Sequence, residues 1–482
     1  MQSYREKGIE QVISRMLLGL IHHNTARKLH RARRQRLTAS RTASADNPSC
    51  IALRNSNANI CFAKHKKRIP MIDLTNIKLL SREMLRLKLQ PYQRHFDHEN
   101  SDHRLIILLG HRGVGKTTLL AQQLLNSVDG DLQSDKILYV PIDHFLLNNE
   151  KIYLIAERFQ MMGGQTIAFD EIHKYPNWSM ELKSINDTFP KLKVLASGSS
   201  ALEIHKGSHD LSRRAILTYI HGLSLREYIN LNLKTAFENY SLKNILSHHE
   251  KLAHPIISTL DENNHKILDL LQRYLETGYY PYFLALQNKQ EYLLTIEQDI
   301  HTTIESDLLA IYPHINGISL KKIKQLFSFI AESVPFTPNW SKIKSLLSIG
   351  DTRTLQTYFK YLEDAGLIRT LLSASQKLQK IEQPAKVLLN NTNQMFALST
   401  ASPNPGNLRE TFIINTLKNA KHEVTLADKA DFVVDKNIIL EVGGRTKDNS
   451  QIKNQKNAYL ICDDIECGIS NKIPLWLFGF LS

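Results

Sequence analysis

Nine consecutive residues carry the clearest chemistry in this chain. Gly110-His111-Arg112-Gly113-Val114-Gly115-Lys116-Thr117-Thr118 has the G-x-x-x-x-G-K-T spacing of a phosphate-binding loop. Glycines let such a loop wrap with its N–H groups pointing inward. Lys116 supplies a point charge to the β and γ phosphates of ATP, and Thr117 offers a hydroxyl to Mg²⁺. Downstream, Thr166-Ile-Ala-Phe-Asp170-Glu171 is an apolar run ending in two acids. Asp170 is the candidate to hold Mg²⁺, and Glu171 the candidate to polarise the attacking water. Ser197 and Arg214 complete the candidate catalytic set. A polar side chain beside the strand that ends in Asp170-Glu171, the Walker B pattern, can contact the γ-phosphate, and an arginine can reach it from the same chain or from a neighbouring subunit. Plainer readings stand beside both: a turn of small residues at Ser197-Gly-Ser-Ser200, and a solvated basic helix end at Arg213-Arg214.

These residues need strands and a helix to position them. Arg104–Leu109 is an apolar run of strand length, and Thr118 onward reads as a helix whose positive end adds to the phosphate site. Lys136–Pro141 reads as a second strand, Glu150–Met162 as a helix, and Trp178–Thr188 as another. Lys193–Ala196 reads as a fourth strand with Ser197 at its tip. A strand inserted between the two motifs points to the branch of P-loop NTPases that activates water with a carboxylate. The expected fold is α/β, with a P-loop NTPase core on a parallel sheet.

Composition narrows the class. The chain has 482 residues, 42% apolar and 22% charged, enough for two to four packed domains. The longest apolar runs, Met16–Ile21 and Pro474–Leu481, are too short to span a bilayer. Four cysteines exclude a disulfide framework, and a reducing, cytoplasmic setting is the expectation. The net charge of +14 sits almost entirely in residues 1–70, where 15 Lys and Arg face three acids. The other 412 residues carry only about two of those positive charges, so the folded body has no strongly basic surface to argue for nucleic acid. Residues 1–70 are expected to be a disordered basic extension. A nucleic-acid arm and a transit peptide are the competing readings, and Met71 is a candidate start.

With these motifs in place, the sequence resembles the prokaryotic AAA-type ATPases that carry a carboxy-terminal PD-(D/E)xK nuclease-like domain of uncharacterised function. The matching stretches are Gly110–Thr117, Ile167–Glu171 with His173, Ser197-Gly-Ser-Ser, Leu211–Arg214, Leu223–Tyr228 and Leu275–Tyr282. In the tail they are Arg409–Phe412, Ala430–Phe432, Leu440–Gly444 and Ile473–Gly479. The resemblance covers about residues 71–482. It implies that Arg214 stands where the family has an arginine, while Arg213 replaces a commonly small residue.

The rest of the chain reads as further domains. Ser319–Val334, Trp340–Ser348 and Thr352–Ala365 are three periodic helices, followed by a strand at Leu367–Leu372. This order suggests a winged helix-turn-helix. Arg353, Gln356 and Lys360 would then face DNA, unless the module binds protein or serves as a structural lid. In the tail, Arg409–Leu417 reads as a helix, and Asp431–Val434 with Ile438–Val442 as a hairpin. That hairpin sets Asp431 near Glu441 as possible ligands of one divalent metal. The nuclease pattern calls for a lysine two residues after the glutamate, but Gly443 stands there, and Lys447 would have to reach in from the next loop. A degenerate nuclease fold is therefore expected. The expected layout is 1–70 extension, 71–235 P-loop ATPase, 236–315 helical region, 316–380 winged helix and 381–482 nuclease-like domain. The function this supports is a Mg²⁺-dependent ATPase controlling the winged-helix and tail modules, with DNA and a second copy of the chain as candidate partners and no membrane. A nucleotide-regulated nuclease and a non-catalytic switch that binds a protein partner are the alternatives. A helicase reading of Asp170-Glu-Ile-His173 is set aside because no second motor domain follows.

Overall fold

The computed structural model describes residues 73–89, 94, 103–147, 150–199, 211, 213–286, 288–333, 335–373, 383–399, 401–448, 450–453 and 455–481. The basic extension expected at 1–70 lies outside them.

Five strands build the central sheet: β1 (Leu105–Gly110), β2 (Ile137–Pro141), β3 (Thr166–Asp170), β4 (Lys193–Ser199) and β5 (Ala215–Tyr219). Their order is β2-β3-β4-β1-β5, and every neighbouring pair is parallel. A parallel sheet has helices on both faces, which is why β1, β2 and β3 are buried at every position. Alternation divides β1 between two cores: Ile106 and Leu108 on one face, Leu105, Ile107 and Leu109 on the other. α1 (Thr75–Lys88) lies against β2, giving Leu85 to the first core and Ile77 to the second; α2 (Lys116–Asn126) packs on the first face, and α3 (Ile152–Met161) and α4 (Trp178–Thr188) on the second. In space the strand between the phosphate-loop strand β1 and the acidic strand β3 is β4, although β4 comes later in the chain.

The strand at 193 runs further than expected. It continues through Ser199, so Ser197 is an interior residue, fully buried, rather than a tip. β4 lies between β1 and β3; the β3 ladder ends at Ala196, and the β1 ladder, with Ser197 paired to Leu108, carries the strand on through Ser199.

Beyond the sheet, a capping box opens α5 (Leu225–Leu233): Ser224 accepts from the Glu227 N–H while Glu227 returns to the Ser224 N–H. Next come α6 (Leu242–Glu262), α7 (Ile267–Thr277), α8 (Lys289–Thr302), a π-turn at Thr303–Asp307 and the short α9 (Leu308–Ile311). Three helices follow, α10 (Gly317–Ser333), α11 (Trp340–Leu346) and α12 (Thr352–Asp364), then an antiparallel pair β6 (Ile368–Leu371) and β7 (Lys386–Leu389). Asp351 caps α12 through the Arg353 N–H, as its position suggests.

After α13 (Thr392–Leu398), the tail places α14 (Pro405–Asn419) on a mixed sheet. That sheet has the order β12-β11-β10-β9-β8: β8 (Val424–Leu426), β9 (Phe432–Val434), β10 (Ile438–Gly443), β11 (Ala458–Cys462) and β12 (Lys472–Pro474). The last turn, Leu475–Phe480, is buried against α5, α6 and α14. Residues 71–482 thus pack as one unit. Among the described residues no helix is long and apolar enough to cross a membrane.

Candidate functional site

β1 ends at Gly110 and α2 begins at Lys116, so the loop between them joins a central strand to a helix start. Gly113 and Gly115 adopt φ of +80° and +95°, a left-handed backbone that side chains resist. Gly115 caps α2 without a side chain, leaving the first-turn N–H groups for an anion. Val114 is buried, and Thr118 half-buried in the first turn. The Lys116 ammonium donates to the carbonyls of Gly110 and His111, at 2.9 Å each. Burial lowers its pKa, opposed by Glu171, Asp170 and Asp307.

Strand β3 delivers the acids. The Thr117 hydroxyl donates to both Asp170 oxygens at 2.9 and 3.2 Å. The Tyr139 hydroxyl donates to Asp170 Oδ2 at 2.5 Å, and the Ser197 hydroxyl donates to Oδ1. Burial first, and the Asp170 charge second, push the Tyr139 phenol far above its ordinary pKa, so it stays a donor. Ser197 also accepts from the Glu171 N–H at 3.0 Å. Its hydroxyl therefore bridges Asp170 and the backbone of Glu171, and Ser197 orients the acidic pair. Glu171 sits at φ 56° and ψ 41°, a strained conformation for a side-chain residue, held by that contact. Its carboxylate lies 3.5 Å from the His173 ring and 3.8 Å from Lys174. Burial lowers the pKa of His173, keeping the imidazole neutral.

A hydroxyl and a carboxylate are hard oxygen donors suited to Mg²⁺, and Thr117 and Asp170 already touch. These residues fit a magnesium–nucleotide site.

Arg214 does not join it. Ala215 pairs with Leu105 at the opposite end of β1 from the loop, so Arg214 is about 17–20 Å away along the strand at roughly 3.3 Å per residue. Its Nε donates to Asp187 at 2.7 Å. The same-chain reading of this arginine is corrected by the parallel register.

Three residues outside the sequence reading, Arg94, Asp299 and Asp307, hold the loop, and a fourth, Tyr139, holds Asp170. Arg94 forks onto Glu227 at 2.7 and 3.1 Å and spans the carbonyls of Val114, His221 and Gly222. Arg112 makes a bidentate pair with Asp307, its Nη2 at 2.8 Å from Oδ1 and its Nε at 3.2 Å from Oδ2. Asp299 lies against Gly113, where an added Cβ would be 3.1 Å from its carboxylate. Tyr139 had a legible signal, because a tyrosine inside a buried strand needs a partner for its hydroxyl. Arg94, Asp299 and Asp307 come from distant segments with no local pattern.

In the tail the structure brings the three expected residues together. Lys447 pairs with the buried Glu441 at 2.6 Å, and its stem covers Gly443, where an added Cβ would be 2.5 Å away. Asp431 accepts from the Val442 N–H at 2.8 Å. Burial raises the Glu441 pKa; the Lys447 hydrogen bond opposes it and Asp431 adds to it. Among the described residues no three His, Cys, Asp or Glu converge as a metal site.

The decisive comparison coincides with this geometry: residues 102–229 match a family model described as an AAA domain. The chain carries an AAA-type P-loop domain. The match runs from β1 into the first half of α5 and includes both motifs and all five strands of the central sheet. Residues 268–403 match a domain of unknown function (DUF8612) that runs from α7 through α13. Two uncharacterized proteins of Methanocaldococcus jannaschii are similar. One is 28% identical over 243 residues, covering 48% of this chain and 48% of the relative. The other is 22% identical over 327 residues, covering 65% and 66%. The chain thus spans about half the length of the first and just under two thirds of the second. Among solved structures, the Aeropyrum pernix Orc1 protein in complex with DNA aligns at 12% identity and a TM-score of 0.29, over 68% of this chain and 93% of that one. AMPPCP-bound DnaA from Aquifex aeolicus aligns at 15% and 0.23, over 61% and 90%. Neither likeness is close enough to bear on fold or function.

Proposed function

We propose that this protein is a Mg²⁺-dependent ATPase whose nucleotide state is passed from the AAA domain to the helices and tail packed on it. The observation that carries this is the meeting of Lys116, Thr117, Asp170 and Glu171 at one end of β1 and β3. Thr117 and Asp170 would hold Mg²⁺, which supplies charge neutralisation for the phosphates. Lys116 would turn from its loop carbonyls to phosphate oxygens. Glu171, with its backbone braced by Ser197, would orient and deprotonate water. Arg214, outside its own site, is the candidate to serve a neighbouring copy of the chain.

The route onward is short. His111 of the loop presses its ring on Gly366, in the turn after α12. Helix α12 exposes Arg353 and Lys360 and half-buries Gln356, the face a winged helix would turn to DNA. A second reading, a nuclease-like tail, draws support from the Lys447–Glu441 contact over Gly443, which restores a lysine to the place the pattern lacks. Because no three metal-ligating side chains converge there among the described residues, we read that tail as degenerate.

The test is steady-state ATP hydrolysis by the full chain with Lys116→Ala and Glu171→Gln, with and without double-stranded DNA. Loss of at least about tenfold in both variants, with ATP binding kept in Glu171→Gln, supports the reading. Binding without turnover would favour a switch. Metal-dependent DNA cleavage lost in Glu441→Gln would favour the nuclease.

A further inference from the structure

The phosphate-binding loop is gripped from outside its own domain. Tyr280, Pro281 and Tyr282 press on it: a Cβ added at Gly113 would be 2.8 Å from the Tyr282 ring and 3.2 Å from Tyr280, and one at Gly115 would be 3.4 Å from Pro281. Asp299 on α8 lies against Gly113, and Asp307 takes Arg112 in a bidentate pair. Asp307 closes the π-turn that joins α8 to α9, a wide turn of the kind found at functional positions. Its side chain is buried, at 8% exposed, while Arg112 is 32% exposed. The buried acid therefore depends on that guanidinium for its counter-charge.

The same cations are the ones a nucleotide needs. Arg112 feels Asp307, Glu171 and Asp299, and Lys116 feels Glu171, Asp170 and Asp307. Polyphosphate arriving at this loop adds several negative charges beside these carboxylates. Like charges in a partly buried site repel strongly, so the acids and the phosphates oppose one another. Asp299 already reports crowding: burial, with Asp307 adding to it, raises its carboxyl to about 6 in spite of Arg112 and Lys116.

We infer that Asp307, paired with Arg112, and Asp299, lying against Gly113, form an intramolecular latch that closes on the loop while it has no polyphosphate and is displaced when a nucleoside triphosphate binds. The latch rests on the nucleotide-binding reading above and names its regulation. Release would be felt in two directions. Helix α9 packs on the Ile172–Lys174 turn just after Glu171, and α8 packs on α13 beyond the β6–β7 pair. Displacing 289–311 therefore moves groups beside the water-orienting acid and the helices downstream together.

The experiment uses the full chain and a fluorescent ATP analogue with Mg²⁺, comparing wild type, Asp307→Asn, Asp299→Asn and Lys116→Ala. Glu305→Gln is the control, an acid of the same turn that pairs with Lys324 at the surface. Asp307→Asn removes the competing charge while keeping shape, so the nucleotide Kd falls at least about tenfold, the worth of a hydrogen bond to a charged group. Asp299→Asn gives a smaller fall, Glu305→Gln none, and Lys116→Ala abolishes binding. Hydrogen exchange of 289–311 quickens on adding ATP to wild type, and is already quick in nucleotide-free Asp307→Asn. Equal or weaker ATP binding by Asp307→Asn, or protection of 289–311 by ATP, overturns the latch. If wild type binds no ATP, the nucleotide reading itself falls, and the nucleotide-free comparison judges the latch alone: unchanged exchange in both Asn variants refutes it.

Discussion

Replacing Gly366 by alanine should break the contact between the phosphate-binding loop and the turn after α12. Gly366 has φ +69°, where a Cβ costs about 1–2 kcal/mol. The added Cβ would also stand 1.8 Å from two atoms of the His111 imidazole. The ring has little room to retreat, because burial and the neighbouring Arg369 and His221 already surround it, and they hold its pKa well below the ordinary value. Overfilling a packed site of this kind costs about 1–3 kcal/mol. Gly366→Ala should therefore destabilise the protein by about 2–5 kcal/mol in chemical denaturation. The two contributions can be separated. In a His111→Ala background the collision disappears and only the backbone cost of about 1–2 kcal/mol should remain. The double-mutant cycle should give a coupling of about 1–3 kcal/mol. Additivity within about 0.5 kcal/mol would refute the packed contact and, with it, the shortest path from loop to α12.

Two further outcomes follow from the site. Tyr139→Phe removes one of three hydroxyl donors to Asp170, so thermal stability without ligand should drop by about 1.5–3 kcal/mol. Saturating Mg²⁺–ATP should narrow that gap, since the metal then answers the Asp170 charge; an equal gap with and without ligand would sink the proposed Mg²⁺ role. Asp299, raised from 3.8 to about 6, binds its proton more tightly folded than unfolded, so its contribution is present below about pH 4 and is lost as pH rises through 6. Relative to the non-titrating Asp299→Asn, wild type should lose up to about 3 kcal/mol between pH 4 and 7, less for the part of the group that water screens. A flat difference across that range would show that the carboxyl is not crowded.

What the sequence determined by itself was local. The loop from Gly110 to Thr118, the strand into Asp170-Glu171 and the helix after Lys116 were all legible, because each is a short run whose spacing the phosphate chemistry dictates. The tail hairpin carrying Asp431 and Glu441, and the helix capped by Asp351, were legible because a turn and an N-cap are likewise set by neighbouring residues. Tertiary structure decided everything that depends on register or on distant partners. Parallel pairing of β5 with β1 sent Arg214 to the far end of the sheet, and continued pairing with β1 made Ser197 an interior strand residue bound to Asp170. Packing alone brought Arg94, Asp299 and Asp307 to the loop from positions 16 residues before Gly110 to 197 residues after it. A charged side chain leaves no periodic signal along the chain. Its partner is chosen by the need of a buried charge for a counter-charge, and that need exists only once the chain has folded around it.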